Sequence, residues 1–142
     1  MATYIHGKGA KLFIDNAAGT LVEYSDITSE ANISISVDTA DTSHFGSNSK
    51  TYIVGQNDGT SNVTGLFDRG RLGTITAAHN ALIASTIASV TVELAPEGNA
   101  TGATKISQEM IITSLEVGAS VGDLVSVSLQ LQRTGDTTLG TY

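Results

Sequence analysis

The stretch SISVDTADTSHFGSNSKTYIVGQNDGTSNVTGLFD, residues 34–68, decides how this chain of 142 residues is interpreted. Together with Ile33 it opens on alternating apolar and polar residues, the pattern of a strand with one dry and one wet face. It closes on a second β-rich run at 62–67. The polar segment between them predicts a long loop at 38–50, and such insertions in compact domains are usually functional or disordered. Because Phe45 lies within it, we interpret the segment as an arm that contacts a partner.

The composition favours one mainly β domain spanning residues 1–142, long enough to bury a core. Ser, Thr, Val, Ile and Gly dominate, as expected for pleated strands joined by turns. The absence of cysteine excludes disulfides, thiolate metal sites and a cysteine nucleophile. A formal net charge of −7, with scattered lysines and arginines, argues against a nucleic-acid-binding surface. With no signal-peptide core or membrane-spanning apolar run in the sequence, we expect a soluble chain.

The periodicity along the chain predicts strands connected by short turns. Strands are predicted at residues 10–15, 20–24, 30–37, 62–67, 90–95, 106–117 and 124–132. One helix is predicted at 74–86, where apolar residues recur at helical spacing and Thr74 is a suitable N-cap. Residues 1–9 are expected to form an N-terminal arm and residues 134–142 a polar C-terminal tail. The strand runs combine into two long amphipathic hairpins.

No arrangement of residues in the sequence indicates catalysis, a bound cofactor or a metal site. His79 lies on the apolar stripe of the predicted helix, which favours a packed side chain over a ligand. Asp38, Asp41 and His44 are close in sequence and could hold a cation. Their spacing does not match a hard-cation loop, so we favour a solvated loop. The sequence therefore predicts a non-enzymatic protein without a cofactor.

The order of four short motifs in residues 37–68 resembles the tail tube (major tail) proteins of long-tailed bacteriophages. These motifs are VDTADTSHFG, KTYIVG, QNDGT and the run that ends in GLFD. The resemblance implies a β-sandwich or flattened barrel of about eight strands flanked by one α-helix, with a long loop between strands. It further implies hexameric rings that stack into a hollow tube through which the genome is delivered. The protein would then be a structural component of the virion, assembled in the cytoplasm of the bacterial host.

The resemblance also implies roles for two sets of residues. The long loop would contact the adjacent ring through Asp38, Asp41, His44, Phe45, Lys50 and Tyr52. The wet faces of the hairpins 30–67 and 106–132 would line the lumen through Asn32, Ser34, Ser36, Asn62, Thr64, Ser126, Ser128, Gln130 and Gln132. DNA would pass without specific binding, because such a wall offers phosphates few cations. Glu30, Glu109 and Glu116 are the candidates for inward-facing carboxylates.

The partners implied are further copies of the chain and other tail proteins, namely the tape measure, tip and terminator, with no membrane. Two alternative functions remain at this point. The chain could be the inner tube subunit of a contractile tail or injection particle, which has the same ring architecture. It could also be a monomeric β-sandwich binding module, although the low aromatic content disfavours a stacking platform for ligands. A hydrolase on a β scaffold has no supporting residues.

Overall fold

The computed structural model describes residues 4–142, so the first three residues of the predicted N-terminal arm lie outside the described part. Within residues 4–142, seven strands and one α-helix follow a short 3₁₀ turn at Gly7–Gly9. The elements are β1 (Lys11–Asp15), β2 (Leu21–Glu23), β3 (Thr28–Asp41), β4 (Tyr52–Leu66), α1 (Arg69–Ile83), β5 (Val90–Ala95), β6 (Thr104–Gly118) and β7 (Ser126–Thr141). The strands form one antiparallel sheet in the order β2-β1-β5-β6-β7-β4-β3. The mainly β fold with one helix is confirmed, with seven strands where about eight were expected.

The sheet curls around a single apolar core. Three strands separate β1 from β4 in the sheet, yet Ile14 of β1 and Val63 of β4 line one small cavity with Ile75 of α1. This contact requires the sheet to bend so that its dry face closes on itself and on the helix. The buried core residues are Leu12, Ile14, Tyr24, Val63, Ile75, Ala78, Val90, Val92, Met110, Ile112, Leu129 and Leu131. The arrangement is that of a flattened barrel with the helix packed on the core.

The long loop predicted at 38–50 is shorter than expected, because its first four residues continue strand β3. β3 continues to Asp41 and pairs there with Tyr52, the first residue of β4. The connecting turn therefore spans only residues 42–51. A β-bulge shifts the register between Val37 and Thr39. The extra residue lies in β4, between Val54 and Asn57. The strand prediction ends too early, at Val37, because the next residues of β3, Asp-Thr-Ala-Asp, lack the apolar alternation on which it depends.

The helix also begins earlier than the predicted range of 74–86. Its N-cap is Asp68, whose Oδ2 accepts a hydrogen bond from the Arg71 amide at 3.0 Å. The Thr74 hydroxyl instead donates to the Gly70 carbonyl at 3.0 Å, inside the helix. Two glycines in the first two turns hid this start, because glycine disfavours helix interiors.

The predicted C-terminal tail, 134–142, is not a free tail. β7 continues to Thr141 and pairs with the first residue of β6, Thr104. The terminal Tyr142 then folds back on its own chain, where its hydroxyl donates to the Glu93 carboxylate. Burial, with the hydrogen bond to Glu93 and its charge, raises the pKa of Tyr142. The sequence predicts a polar tail here and not a strand, because this Thr- and Gly-rich segment lacks a clear apolar alternation.

Candidate assembly interface

The two predicted hairpins lie side by side in one four-stranded layer, β6-β7-β4-β3. β4 joins β7 in unbroken register from Thr60 opposite Gln132 to Leu66 opposite Ser126. The pairing between hairpins, which the sequence could not assign, therefore occurs within the subunit. We call this sheet region the four-stranded layer.

One face of the four-stranded layer is formed by polar residues in cross-strand rows. Residues directly opposite in antiparallel strands share a face, so the registers of the strand pairs define these rows. The rows are Glu30–Thr64–Ser128–Glu116, Asn32–Asn62–Gln130–Ser114, Ser34–Thr60–Gln132–Ile111 and Leu66–Ser126–Gly118, with Ser36 opposite Asp58 beyond them. Ile111 and Leu66 are the large apolar members of these rows. Of the nine residues expected to form the wet face, eight belong to this layer and Ser36 lies just beyond it on the β3–β4 hairpin; seven of the nine are exposed, and Ser128 and Gln132 are partly buried. Their role as the lining of a channel stays a prediction.

The polar face is acidic. Glu30 and Glu116 are exposed on it, and Asp58, which no sequence pattern singles out, lies opposite Ser36 just beyond the Thr60 end of the layer. The rows contain no lysine or arginine. Glu109 lies outside these rows, opposite Thr91 of β5. Its carboxylate accepts hydrogen bonds from the hydroxyls of Ser89 at 2.7 Å and Thr91 at 2.5 Å. Of the three carboxylates considered from sequence, two are therefore on this face.

The opposite face of the four-stranded layer is the dry one. Its rows are Ala31–Val63–Leu129–Leu115 and Ile33–Ser61–Leu131–Ile112. Ser61 is the polar member of these rows and is 1% exposed, but its hydroxyl donates to the Asn32 carbonyl at 2.5 Å. The layer is therefore fixed in one register, because a slip by one residue would turn every apolar side chain to water.

Both margins of the four-stranded layer carry unpaired strand edges in the described part of the chain. β3 is the last strand of the sheet, so its outer edge is free from Thr28 to Asp41. β6 pairs with β5 only as far as Met110, which leaves the same edge of β6 free from Ile111 to Gly118. Long free edges of this kind are templates for pairing with another chain.

Beyond Thr60 the β3–β4 hairpin leaves the sheet as a two-stranded ribbon, residues 35–58, which we call the arm. Every residue of the arm is exposed. Its exposed apolar side chains are Ile35, Val37, Phe45, Tyr52, Ile53 and Val54. An isolated two-stranded ribbon is marginally stable in water, so this much exposed apolar surface indicates a partner.

All six residues predicted to contact an adjacent ring lie on the arm, namely Asp38, Asp41, His44, Phe45, Lys50 and Tyr52. The turn at its tip is held by local hydrogen bonds, and the one from the Ser43 amide to Asp41, at 2.8 Å, lowers the pKa of that carboxyl. His44 Nδ1 lies 3.0 Å from the Phe45 carbonyl oxygen. Among residues 4–142, no three acidic or histidine side chains converge as a metal site would require, and this includes the candidate trio on the arm.

A second exposed apolar surface lies at the other end of the four-stranded layer and was missed from sequence. β3 and β6 run in opposite directions, so the arm and the turn at 119–125 lie at opposite ends. Val121 and Leu124 in this turn are 105% and 74% exposed, and Phe67 beside it is 44% exposed. We call these three residues the end patch. Apolar residues inside a glycine-containing turn were the available signal.

Neither a protein-family model nor a curated protein sequence matches this chain. Solved structures do match in fold. The tail of an empty gene transfer agent particle, determined with C6 symmetry, has a TM-score of 0.75 at 13% identity over 97% of this chain and 100% of that chain. The SPP1 tail tube has a TM-score of 0.74 at 15% identity over 98% of this chain and 80% of that chain. The chain has a tail tube fold.

The tail tube fold also occurs in contractile particles. A subunit in the sheath–tube complex of an extracellular contractile injection system matches with a TM-score of 0.69 at 12% identity, over 98% of this chain and 93% of that chain. The resemblance noted in the sequence is thus confirmed for the fold. These matches are to structural components of particles. Within residues 4–142, no helix is both long and apolar enough to cross a membrane.

Proposed function

We propose that this protein is the non-enzymatic structural subunit of a hollow tail tube, in which copies join side by side into rings and the rings stack. The observation that carries the proposal is the pair of free edges on the four-stranded layer, on β3 and on the second half of β6. They lie at opposite margins of the layer and run in opposite directions.

Strand direction makes the two edges complementary. Across the layer the strands alternate in direction, and their number is even. A copy rotated about an axis roughly along the strands therefore places its β6 beside the β3 of its neighbour in antiparallel orientation. Closing the ring removes both edges from every copy, as a closed barrel does. The C6 symmetry of the gene transfer agent tail supports a ring of six.

Stacking of the rings would use the two apolar surfaces at opposite ends of the subunit. Translation along the strands brings the arm of one copy toward the end patch of another. Such a contact joins different surfaces and does not close on itself, so it generates an open filament. The arm residues Phe45, Tyr52 and Ile53 supply apolar area, and Asp38, Asp41, His44 and Lys50 supply polar contacts at its exposed positions.

The polar face would line the channel. It offers hydroxyl, amide and carboxylate groups without a cation, so duplex DNA would find few contacts that neutralise its phosphates. Glu30 and Glu116 would repel the phosphates and favour sliding. DNA is therefore expected to cross the lumen without specific binding. In a virion assembled in the bacterial cytoplasm, the tube would end on other tail proteins, the tape measure, tip and terminator.

A second candidate is the inner tube of a contractile tail or injection particle, favoured by the match to the sheath–tube complex. Electron microscopy of particles that contain the protein separates the two functions, since only a contractile particle has a sheath around this tube.

Negative-stain electron microscopy of the purified, concentrated protein tests the proposal, with sedimentation velocity on the same samples. We expect hollow tubes or six-fold rings. Salt should promote them, because it screens repulsion between the acidic subunits. Single subunits at every protein concentration, in low and high salt, would contradict the proposal and favour a monomeric binding module.

A further inference from the structure

The arm leaves the four-stranded layer at a fork between β4 and β7. As far as Thr60 and Gln132 the two strands pair with each other. One residue further, β7 remains paired with β6 on its other side, with Arg133 opposite Met110, but it no longer pairs with β4. From Gly59 toward the tip, β4 pairs only with β3. The direction of the arm relative to the layer is therefore decided at this fork.

Two consecutive side chains of β7 bridge the fork. Gln132 donates from Nε2 to the Gly59 carbonyl at 3.1 Å and to Asp58 Oδ1 at 2.5 Å. Arg133 donates from Nη1 to the Asp58 carbonyl at 3.2 Å. Successive side chains in a strand point to opposite faces, so the base of the arm is held from both sides.

The environment of Arg133 is unusual for a cation. Its side chain is 4% exposed, and the nearest carboxylate, Asp136, is 97% exposed and 3.8 Å away. The guanidinium donates its hydrogen bonds mainly to backbone carbonyls. Nη1 donates to Asp58, and Nε donates to Gly135 at 2.5 Å. A buried charge is costly and an apolar residue of similar size often stabilises as well or better, so packing alone does not account for an arginine here.

The fork is also tightly packed at Gly59. A Cβ atom at this position would lie 2.5 Å from the Ser34 carbonyl oxygen and 3.1 Å from Arg133 Cδ. The three strands thus meet with no space for a side chain. The close packing at Gly59 and the hydrogen bonds from Gln132 and Arg133 together hold the first residues of the arm in a single position relative to β7.

We propose that Gln132 and Arg133 form a joint that fixes the direction of the arm, and so position the arm for its contact with a second copy of this chain. Both are positioning residues, because neither reaches the exposed tip. The contact with a second copy rests on the proposed function, whereas the fixed direction of the arm is a property of the single subunit and is tested in it.

Distances between spin labels measure the direction of the arm. The chain has no cysteine, so two cysteines introduced at Ser47 in the arm and Thr101 in the body carry the labels without further changes. The test compares dispersed Arg133→Met and Gln132→Ala subunits with the otherwise unchanged protein. We expect each variant to widen the distance distribution by about twofold, since a ribbon held by few contacts samples many positions.

Arg71→Met is the matched control, because Arg71 also bonds a carbonyl and two carboxylates but lies at the opposite end of the subunit. It should leave the distance distribution unchanged. Distributions of equal width in Gln132→Ala and the unchanged protein, with both folded by circular dichroism, would overturn the proposal even if Arg133→Met does not fold. If the unchanged protein forms no rings, the proposed function fails while the joint is still measured.

In protein that does assemble, the joint variants give a second readout. Arg133→Met subunits should form rings in ordinary yield but fewer and shorter tubes. Arg71→Met should affect rings and tubes equally, through stability alone. Tubes of normal length from Arg133→Met with a widened distance distribution would show that stacking does not depend on the joint and would overturn the positioning role.

Discussion

Glu30 and Glu116 occupy the two outer positions of one cross-strand row, with Thr64 and Ser128 between them. Each lies on a strand segment with a free edge, and β3 and β6 are the strands that would meet between neighbouring subunits. Carboxylates from two copies would therefore approach each other at every seam of a ring. Like charges on adjacent strands are destabilising, so ring closure should be opposed at low salt.

Neutralising both carboxylates should favour assembly. We expect the double variant Glu30→Gln/Glu116→Gln to gain about 0.5 kcal/mol at each seam. Tubes should then form at lower protein concentration and with little dependence on salt, measured by light scattering. Glu109→Gln is the control. This substitution also removes a carboxylate from β6, but Glu109 lies off the polar face. If tube formation depended equally on salt in the unchanged protein, the double variant and Glu109→Gln, the proposed approach of Glu30 and Glu116 between neighbouring subunits would be contradicted.

Removing the arm should separate stacking from ring formation. Ser36 and Asp58 are opposite each other, so an Asn-Gly turn in place of residues 37–57 shortens the hairpin without breaking its register. We expect the free energy of unfolding to change by less than about 1 kcal/mol, because the removed residues are all exposed. Electron microscopy should show rings without tubes. Phe45→Ser, which changes only the tip, should shorten the tubes, and normal tubes from the armless protein would exclude the stacking role.

Tyr24 should limit stability at high pH. It is 3% exposed, its hydroxyl has no hydrogen-bond partner among the described residues, and burial raises its pKa to about 12. An unfolded tyrosine titrates near pH 10, so between about pH 10 and 12 only the unfolded state loses this proton. The free energy of unfolding should therefore fall by up to about 1.4 kcal/mol per pH unit in that interval.

Tyr24→Phe should reduce this alkaline loss and, by removing an unpaired buried hydroxyl, raise stability at neutral pH by about 1 kcal/mol. Urea unfolding at pH 7 and across the alkaline range measures both effects. Tyr142→Phe is the comparison, since it removes a hydroxyl that is bonded to Glu93 and should lower stability at pH 7. If the two substitutions changed the free energy of unfolding equally, at pH 7 and in the alkaline range, the role given to the unpaired Tyr24 hydroxyl would be contradicted.

The true start of the helix should be visible in its cap. Asp68→Ala removes the acceptor for the Arg71 amide and should lower the free energy of unfolding by about 1 kcal/mol. Thr74→Ala removes a hydroxyl that lies inside the helix and should cost less than about 0.5 kcal/mol. Chemical denaturation of the two variants checks the order, and a larger loss from Thr74→Ala would favour the later start.

Local pattern in the sequence was sufficient to assign the strands with a clean alternation. β7 is the clearest case, where Leu129 and Leu131 alternate with Gln130 and Gln132 as the buried and wet faces require. Side chains of a strand alternate whatever the strand pairs with, so sequence alone fixed which residues share a face. For the same reason the nine wet-face residues could be selected before their rows were known. Turn-forming residues indicated the connections between strands, and the helical spacing of apolar residues indicated the single helix.

The failures occurred where the local pattern is interrupted. The polar run after Val37 hid the outer part of β3, and glycines hid the first turns of the helix. Tyr142 could not be placed, because its partner Glu93 is distant in sequence. Nothing local in the sequence marked the fork at Arg133, and the signal for the end patch was only a pair of apolar residues in a glycine-containing turn.

The sequence by itself determined the class of fold, the two amphipathic hairpins and the acidic, cation-poor wet face. Only the tertiary structure decided that β4 pairs with β7, that Glu116 and not Glu109 lies on the polar face, and which edges stay free. The physical reason is that side-chain alternation is set residue by residue along one strand, whereas the choice of neighbouring strand depends on burying the dry faces of distant segments in one core.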